Sequence, residues 1–137
     1  MKGDELPGTD HVTRYCRGDA AGSPASFLLR GGESYLSVNW LEFLKKTDRN
    51  EEIIEVKKVL SKKLKLGSTA RIAVLNVKKT RAHVLQESFD SREINFKHEP
   101  ESPNDESHSG IHNTRCEDEM LIAELIFETI IEEYPAK

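Results

Sequence analysis

Between residues 48 and 67, Ile53, Val56, Leu60 and Leu64 recur at steps of three or four, with Ile54 and Val59 widening the stripe. That spacing predicts a helix with one apolar face. Asp48 can cap its start, and Glu51 stands three residues on, as in a capping box. Glu51, Glu52 and Glu55 come early, while Lys57, Lys58, Lys62, Lys63 and Lys65 come late, the order that complements the helix dipole. Gly67 is the expected stop. A second helix is predicted over 117–134. There Glu124, Glu128 and Glu132 make one acidic stripe, while Met120, Leu121, Ile122, Leu125, Ile126, Phe127, Ile130 and Ile131 cover most of the rest. One packing face needs an arc of ~100° or a little more. An arc this wide implies a nearly buried helix or one that meets a partner, and Pro135 ends it.

Strand patterns fill the remaining chain. Residues 70–77 contain the apolar run Ile72, Ala73, Val74, Leu75 and read as a central strand covered on both sides. Residues 80–85 are expected to continue it after an irregular step. Alternation is weak over 11–16 and clearer over 92–98, where Ile94 and Phe96 share a face. Residues 26–30 read as a strand that turns at Gly31-Gly32 into a hairpin with 35–38. Residues 1–10, polar with Pro7 and Gly8, read as a flexible, frayed tail. Residues 99–115 carry Pro100, Pro103 and Gly110 without an aromatic residue, and read as a long loop. With no apolar anchor, 102–107 are expected to be dispensable for folding. The expected architecture is a single α+β domain over 11–137, with four or five antiparallel or mixed strands and two helices on one face.

Composition narrows the function. The chain has 137 residues, 36% hydrophobic and 32% charged, with a net charge of −4. A general nucleic-acid binder usually carries a basic excess, so nucleic acid is not the favoured partner, although nine positive charges fall within residues 57–81. The solvated face of a helix and an edge strand explain that cluster equally well. Two cysteines, Cys16 and Cys116, fit a reducing cytoplasm better than an oxidising compartment, though one bridge is compatible with them. No apolar run reaches the ~18–20 residues of a membrane span, and the N-terminus lacks a signal-peptide core. The expected location is cytoplasmic, away from membranes.

Residues 26–44 hold Trp40 and set Arg30, Glu33, Ser37 and Asn39 among apolar neighbours. Polar groups so placed need partners. His11-Val-Thr-Arg14-Tyr15, Phe27-x-Leu-Arg30 and Glu33-x-Tyr-Leu-Ser-Val-Asn39-Trp40-Leu-Glu42 resemble a family of small bacterial proteins labelled hypothetical. Leu75-Asn-Val, Thr80-Arg-x-His83-Val84 and Ser107-His108 with Ile111 are similar to its later blocks. The resemblance spans roughly residues 11–112 and implies a bacterial source without an activity.

Candidate chemistry is sparse. His108, His112 and Cys116 fall four apart, with His98 ten residues earlier; on a helix they would share a face suited to a metal. Gly110 and the loop-like flanks argue for polar loop histidines instead. Ser37 or Cys16 with a histidine could make a nucleophile and base, but no nucleophile elbow surrounds Ser37. His11, His83 and His108 are the histidines available for that pairing. Arg14, Arg30 and Arg81 could form an anion site, since guanidinium matches phosphate in a bidentate way, with His11 or His83 handling protons. Asn39 and Trp40 would complete such a ligand site, or serve only as corner and packing anchor. Arg30 could instead pair with Glu33 or Glu42. The favoured expectation is a non-catalytic accessory protein that docks on a larger protein partner, or on itself, through Phe127 and Ile131. The alternative is a small enzyme or sensor that binds a phosphate-bearing ligand at Arg14, Arg30 and the nearby histidines. No cofactor is expected.

Overall fold

The computed structural model describes residues 2–115 and 118–137. Among these, strands β1 (His11–Cys16), β2 (Leu36–Trp40), β3 (Arg71–Asn76), β4 (Asn95–His98), β5 (His108–His112) and β6 (Glu132–Pro135) accompany helices α1 (Arg49–Ser61), α2 (Val77–Glu87) and α3 (Glu119–Phe127). The strands form one open sheet in the order β4-β5-β2-β1-β3-β6, antiparallel at every pairing. The class is α+β, as expected. The described residues hold six strands and three α-helices, however, where four or five strands and two helices were expected.

The helices also lie on two faces, not one. Alternation along β3 shows why. Ile72 and Val74 pack with Leu41 and with Ile53, Val56 and Leu60 of α1. Ala73 and Leu75 point the other way, into a larger core with Val77 and Val84 of α2 and Ile122, Leu125 and Ile126 of α3. A strand apolar on both sides needs cover on both sides.

The Asp48 cap forms as expected, with Oδ1 accepting from the Glu51 N–H at 2.9 Å. The helix stops at Ser61 rather than Gly67, whose N–H instead donates to the Tyr15 hydroxyl at 3.0 Å. The expected strand at 26–30 is a short 3-10 turn, Pro24–Phe27, started by Pro24 and by Ser23 accepting from the Ala25 N–H. The hairpin across Gly31-Gly32 does not form, because β2 pairs with β1 and β5. Residues 80–85 belong to α2 rather than to a strand. Asn76 caps that helix by accepting from the Lys79 N–H at 2.9 Å, and Val77, Thr80 and Val84 are its buried positions.

The second expected helix ends early, at Phe127. Thr129 Oγ1 donates to the Ile126 carbonyl at 2.7 Å and meets Thr80 Oγ1 at 2.8 Å. The Ile131 N–H then donates to the Val74 carbonyl at 2.9 Å, and the chain enters β6. Ile130 and Ile131 therefore do not widen a helical face, and the wide apolar arc that suggested a partner dissolves.

Residues 99–115 are not one long loop, for β5 lies within them and pairs with both β2 and β4. Gly110 is there for space: a Cβ would fall 2.3 Å from Tyr35 Cδ1, so glycine lets that ring lie against the strand. Asp105 and Ser107 are buried, which overturns the expectation that 102–107 are dispensable. The expected frayed tail is also held. Gly3 and Leu6 donate their N–H groups to the His98 and Phe96 carbonyls, and Leu6 is buried. No helix among the described residues is long and apolar enough to cross a membrane.

Candidate functional site in the fork of the sheet

Strands β1 and β2 pair at only two positions, Val12–Trp40 and Thr13–Asn39. Beyond them the strands part. Residues 14–16 stay with β3 while 36–38 stay with β5. A cavity of about 330 Å³ opens in this fork, with Arg14, Ser37, Asn39 and His108 on its wall and Leu28, Leu60 and Leu64 as apolar lining. Arg17 and Arg30 line it too, and both are solvent-exposed.

Arg14 bridges the gap. Its Nε donates to the Ser26 carbonyl at 3.0 Å and its Nη1 to the Ser37 carbonyl at 2.9 Å. Both acceptors are neutral, and among the described residues no carboxylate oxygen comes within 4.0 Å of the guanidinium. Burial pushes its pKa below the ordinary value, with weaker upward pulls led by Cys16 and Glu33. An arginine keeps its proton even so. A partly desolvated cation on a cavity wall thus lacks the counter-charge that buried charges ordinarily have. Burial also raises the Cys16 thiol above its usual range, against the downward pull of its bond to Ser26 and of Arg14.

A second group of polar residues stands where β2 meets β5. Asn39 Nδ2 donates to Asp105 Oδ1 at 2.7 Å and to Ser107 Oγ at 2.9 Å. Lys63, just past the end of α1, donates to Asp105 Oδ2 at 2.6 Å and to Glu101 Oε1 at 2.9 Å. Desolvation pulls the Lys63 pKa down, but the bonds to Asp105 and Glu101 together outweigh it and leave the ammonium above its ordinary value. The Lys63 bond holds the Glu101 carboxyl below the usual range, against partial burial. His108 is buried, and its Nδ1 lies 2.7 Å from the Glu99 carbonyl. A carbonyl only accepts, so Nδ1 carries the proton, and Nε2 of the neutral ring is an acceptor.

The structure thus brings together Arg14, Arg30, Asn39 and His108 from the expected ligand and proton-handling residues. Four others stand elsewhere. His11 Nδ1 pairs with Glu42 at 2.6 Å, and His83 on α2 pairs with Glu128 at 2.8 Å. Trp40 donates from Nε1 to Asp10 at 2.8 Å and packs on Phe43 and His98. Arg81 also lies outside this cavity, in the lining of another with Lys78 and Leu85. Glu33 takes the backbone N–H of Arg30 at 2.7 Å rather than its guanidinium.

His112 Nε2 meets Glu99 Oε2 at 2.7 Å, and both His108 and His112 stack near Tyr35. Cys116 lies outside the described residues, and among those described no three metal-ligating side chains converge. Of the expected partner-binding pair, Phe127 is half-buried against the larger core and Ile131 is exposed.

Sequence reasoning missed Lys63, Glu101 and Asp105. Lys63 read as one more basic residue late in a helix, and Asp105 as part of a polar loop. Their pairing spans 42 positions and leaves no local signal. Comparison with family models, with curated proteins and with solved structures returned no match.

Proposed function

We propose that this chain is a small-molecule-binding protein whose forked sheet takes a phosphate-bearing ligand, with Arg14 as the anchor. The observation that carries this reading is the Arg14 guanidinium: it lines the cavity, is partly desolvated and is bonded only to neutral carbonyls. The cavity lining carries four cationic side chains, Arg14, Arg17, Arg30 and Lys63, against two carboxylates, Glu33 and Glu101, a net positive balance that suits an anion. A cavity of about 330 Å³ fits a small molecule rather than a polymer. Leu28, Leu60 and Leu64 offer the apolar wall that most ligand sites have.

Phenyl phosphate, which joins a phosphate to a small apolar body, is a direct probe. Arg14→Gln is expected to weaken its binding by about tenfold to a hundredfold, the worth of hydrogen bonds to a charged group. Calorimetric titration measures this, with circular dichroism to confirm that the variant is folded. Equal affinity in wild type and variant, or no binding by the wild type, would overturn the reading.

A second reading, docking on a larger protein partner, rests on Phe89. Its side chain is 95% exposed, beside a cavity of about 450 Å³ lined by Leu121 and Ile122. An aromatic side chain held in water is a common mark of an interaction surface. Phe89→Asp is expected to leave the melting temperature within about 2 °C, since this ring contributes little to the core. In this reading the same change abolishes any self-association seen by light scattering or any complex formed with a copurifying protein. A complex that survives the substitution removes Phe89 from that surface.

A further inference from the structure

The two ends of the forked cavity offer opposite hydrogen-bonding chemistry, and this specifies the ligand more closely. The inference rests on the phosphate-binding reading above. At one end stands Arg14, all of whose polar side-chain atoms are donors. At the other stand Asn39 and His108, directly opposite one another across β2 and β5. Both protons of Asn39 Nδ2 are committed, to Asp105 and to Ser107. What Asn39 has left is Oδ1, an acceptor. His108 commits its Nδ1 proton to the Glu99 carbonyl. What it has left in the neutral ring is Nε2, also an acceptor. Both residues line the cavity.

A ligand that fills this end must therefore bring donors. Facing pairs on adjacent strands place their Cβ atoms about 5 Å apart, so two neighbouring hydroxyls suit Asn39 and His108 together. The separation from the anion end follows from β2. Arg14 bonds the carbonyl of Ser37, and Asn39 is two residues further on. Two residues of extended strand span about 6.6 Å; this is a minimum, because Thr13 is the partner of Asn39 and its neighbour Arg14 starts from the opposite face and reaches through the fork. A short phosphorylated sugar spans that distance from its phosphate to its far hydroxyls. We propose that the cavity recognises a phosphorylated polyol, with its phosphate at Arg14 and a vicinal diol at Asn39 and His108.

Other charged groups around His108 do not compete for Nε2. Lys63 is held between Glu101 and Asp105. The Glu101 carboxylate lies on the Nδ1 side, at 3.9 Å. His112 is engaged by Glu99.

Ribose 5-phosphate, 2-deoxyribose 5-phosphate and phenyl phosphate, titrated into the full chain, separate the two levels of the reading. Ribose 5-phosphate is expected to bind about tenfold or more tightly than its 2-deoxy analogue, because a missing hydroxyl leaves a buried acceptor unpaired. His108→Phe keeps a ring of similar shape without the acceptor. It is expected to remove most of that ratio. The wild-type ratio needs no variant, so it decides the matter even if His108→Phe fails to fold. Equal affinity for the two sugars overturns the diol inference alone and leaves the phosphate site standing. Failure of all three probes overturns the phosphate site and the diol inference with it. Retention of the full ratio in a folded His108→Phe variant also overturns the inference, since His108 would then not be reading the hydroxyl.

Discussion

Replacing Asp105 with alanine is expected to cost about 3–5 kcal/mol, since it strips acceptors from two buried polar side chains and from the partly exposed Lys63 at once. The Asp105 side chain has no exposed surface. One of its oxygens accepts from Asn39 and, at 3.3 Å, from Ser107; the other accepts from Lys63. Alanine would leave an amide, a hydroxyl and an ammonium short of an acceptor at once, in the segment that leads into β5. Asp105→Asn should cost less, because it keeps one acceptor and loses mainly the attraction to Lys63. Urea unfolding followed by circular dichroism, at constant m-value, gives both numbers. A loss below about 1 kcal/mol for Asp105→Ala would mean that Glu101 alone holds Lys63 and that water replaces the rest.

Phe27→Ala should cost about as much, roughly 3–5 kcal/mol. Phe27 is 2% exposed and belongs to the larger core. It ends the short turn Pro24–Phe27, which packs against α3. That turn also supplies the Ser26 carbonyl that Arg14 bonds. The substitution should therefore weaken phosphate binding in a protein that is still folded but less stable. A stability loss near 1 kcal/mol would show that the surroundings collapse into the space.

The parts of the fold that sequence made legible are those held by near neighbours. The Asp48 cap and the apolar stripe from Ile53 to Leu60 needed nothing beyond their own turns, and the run from Ile72 to Leu75 declared a doubly covered strand. The parts that were not legible depend on distant residues. β5 reads as polar loop because Ser107, His108 and Ser109 are buried by pairing, and because Gly110 is small for the sake of Tyr35, 75 positions away by sequence. The last helix looked longer than it is because Ile130 and Ile131 continue its apolar pattern, while the chain has already left the helix: Ile130 packs on the larger core and the Ile131 N–H donates to the Val74 carbonyl. Within the site, Arg14 and Arg30 were visible as candidate anion ligands. His108 was grouped with His112 and Cys116 for a metal and with His11 and His83 as a possible base, and only the cross-strand register puts it beside Asn39.

The two-position seam between β1 and β2 has a mechanical meaning. It divides the sheet into two leaves of three strands, β4-β5-β2 and β1-β3-β6. Backbone rungs join the leaves at the Val12–Trp40 end, and beyond them the bond from the Arg14 side chain to the Ser37 carbonyl stands in place of such rungs. At that end the hydrogen-bonded link between the leaves is a side chain with several rotatable bonds, a more compliant spring than a ladder of amides. A molecule lodged in the fork and gripping Arg14 on one leaf and Asn39 and His108 on the other would act as a cross-brace. Its occupancy would be written into the stiffness of the whole sheet, and any surface that spans both leaves could read it at a distance.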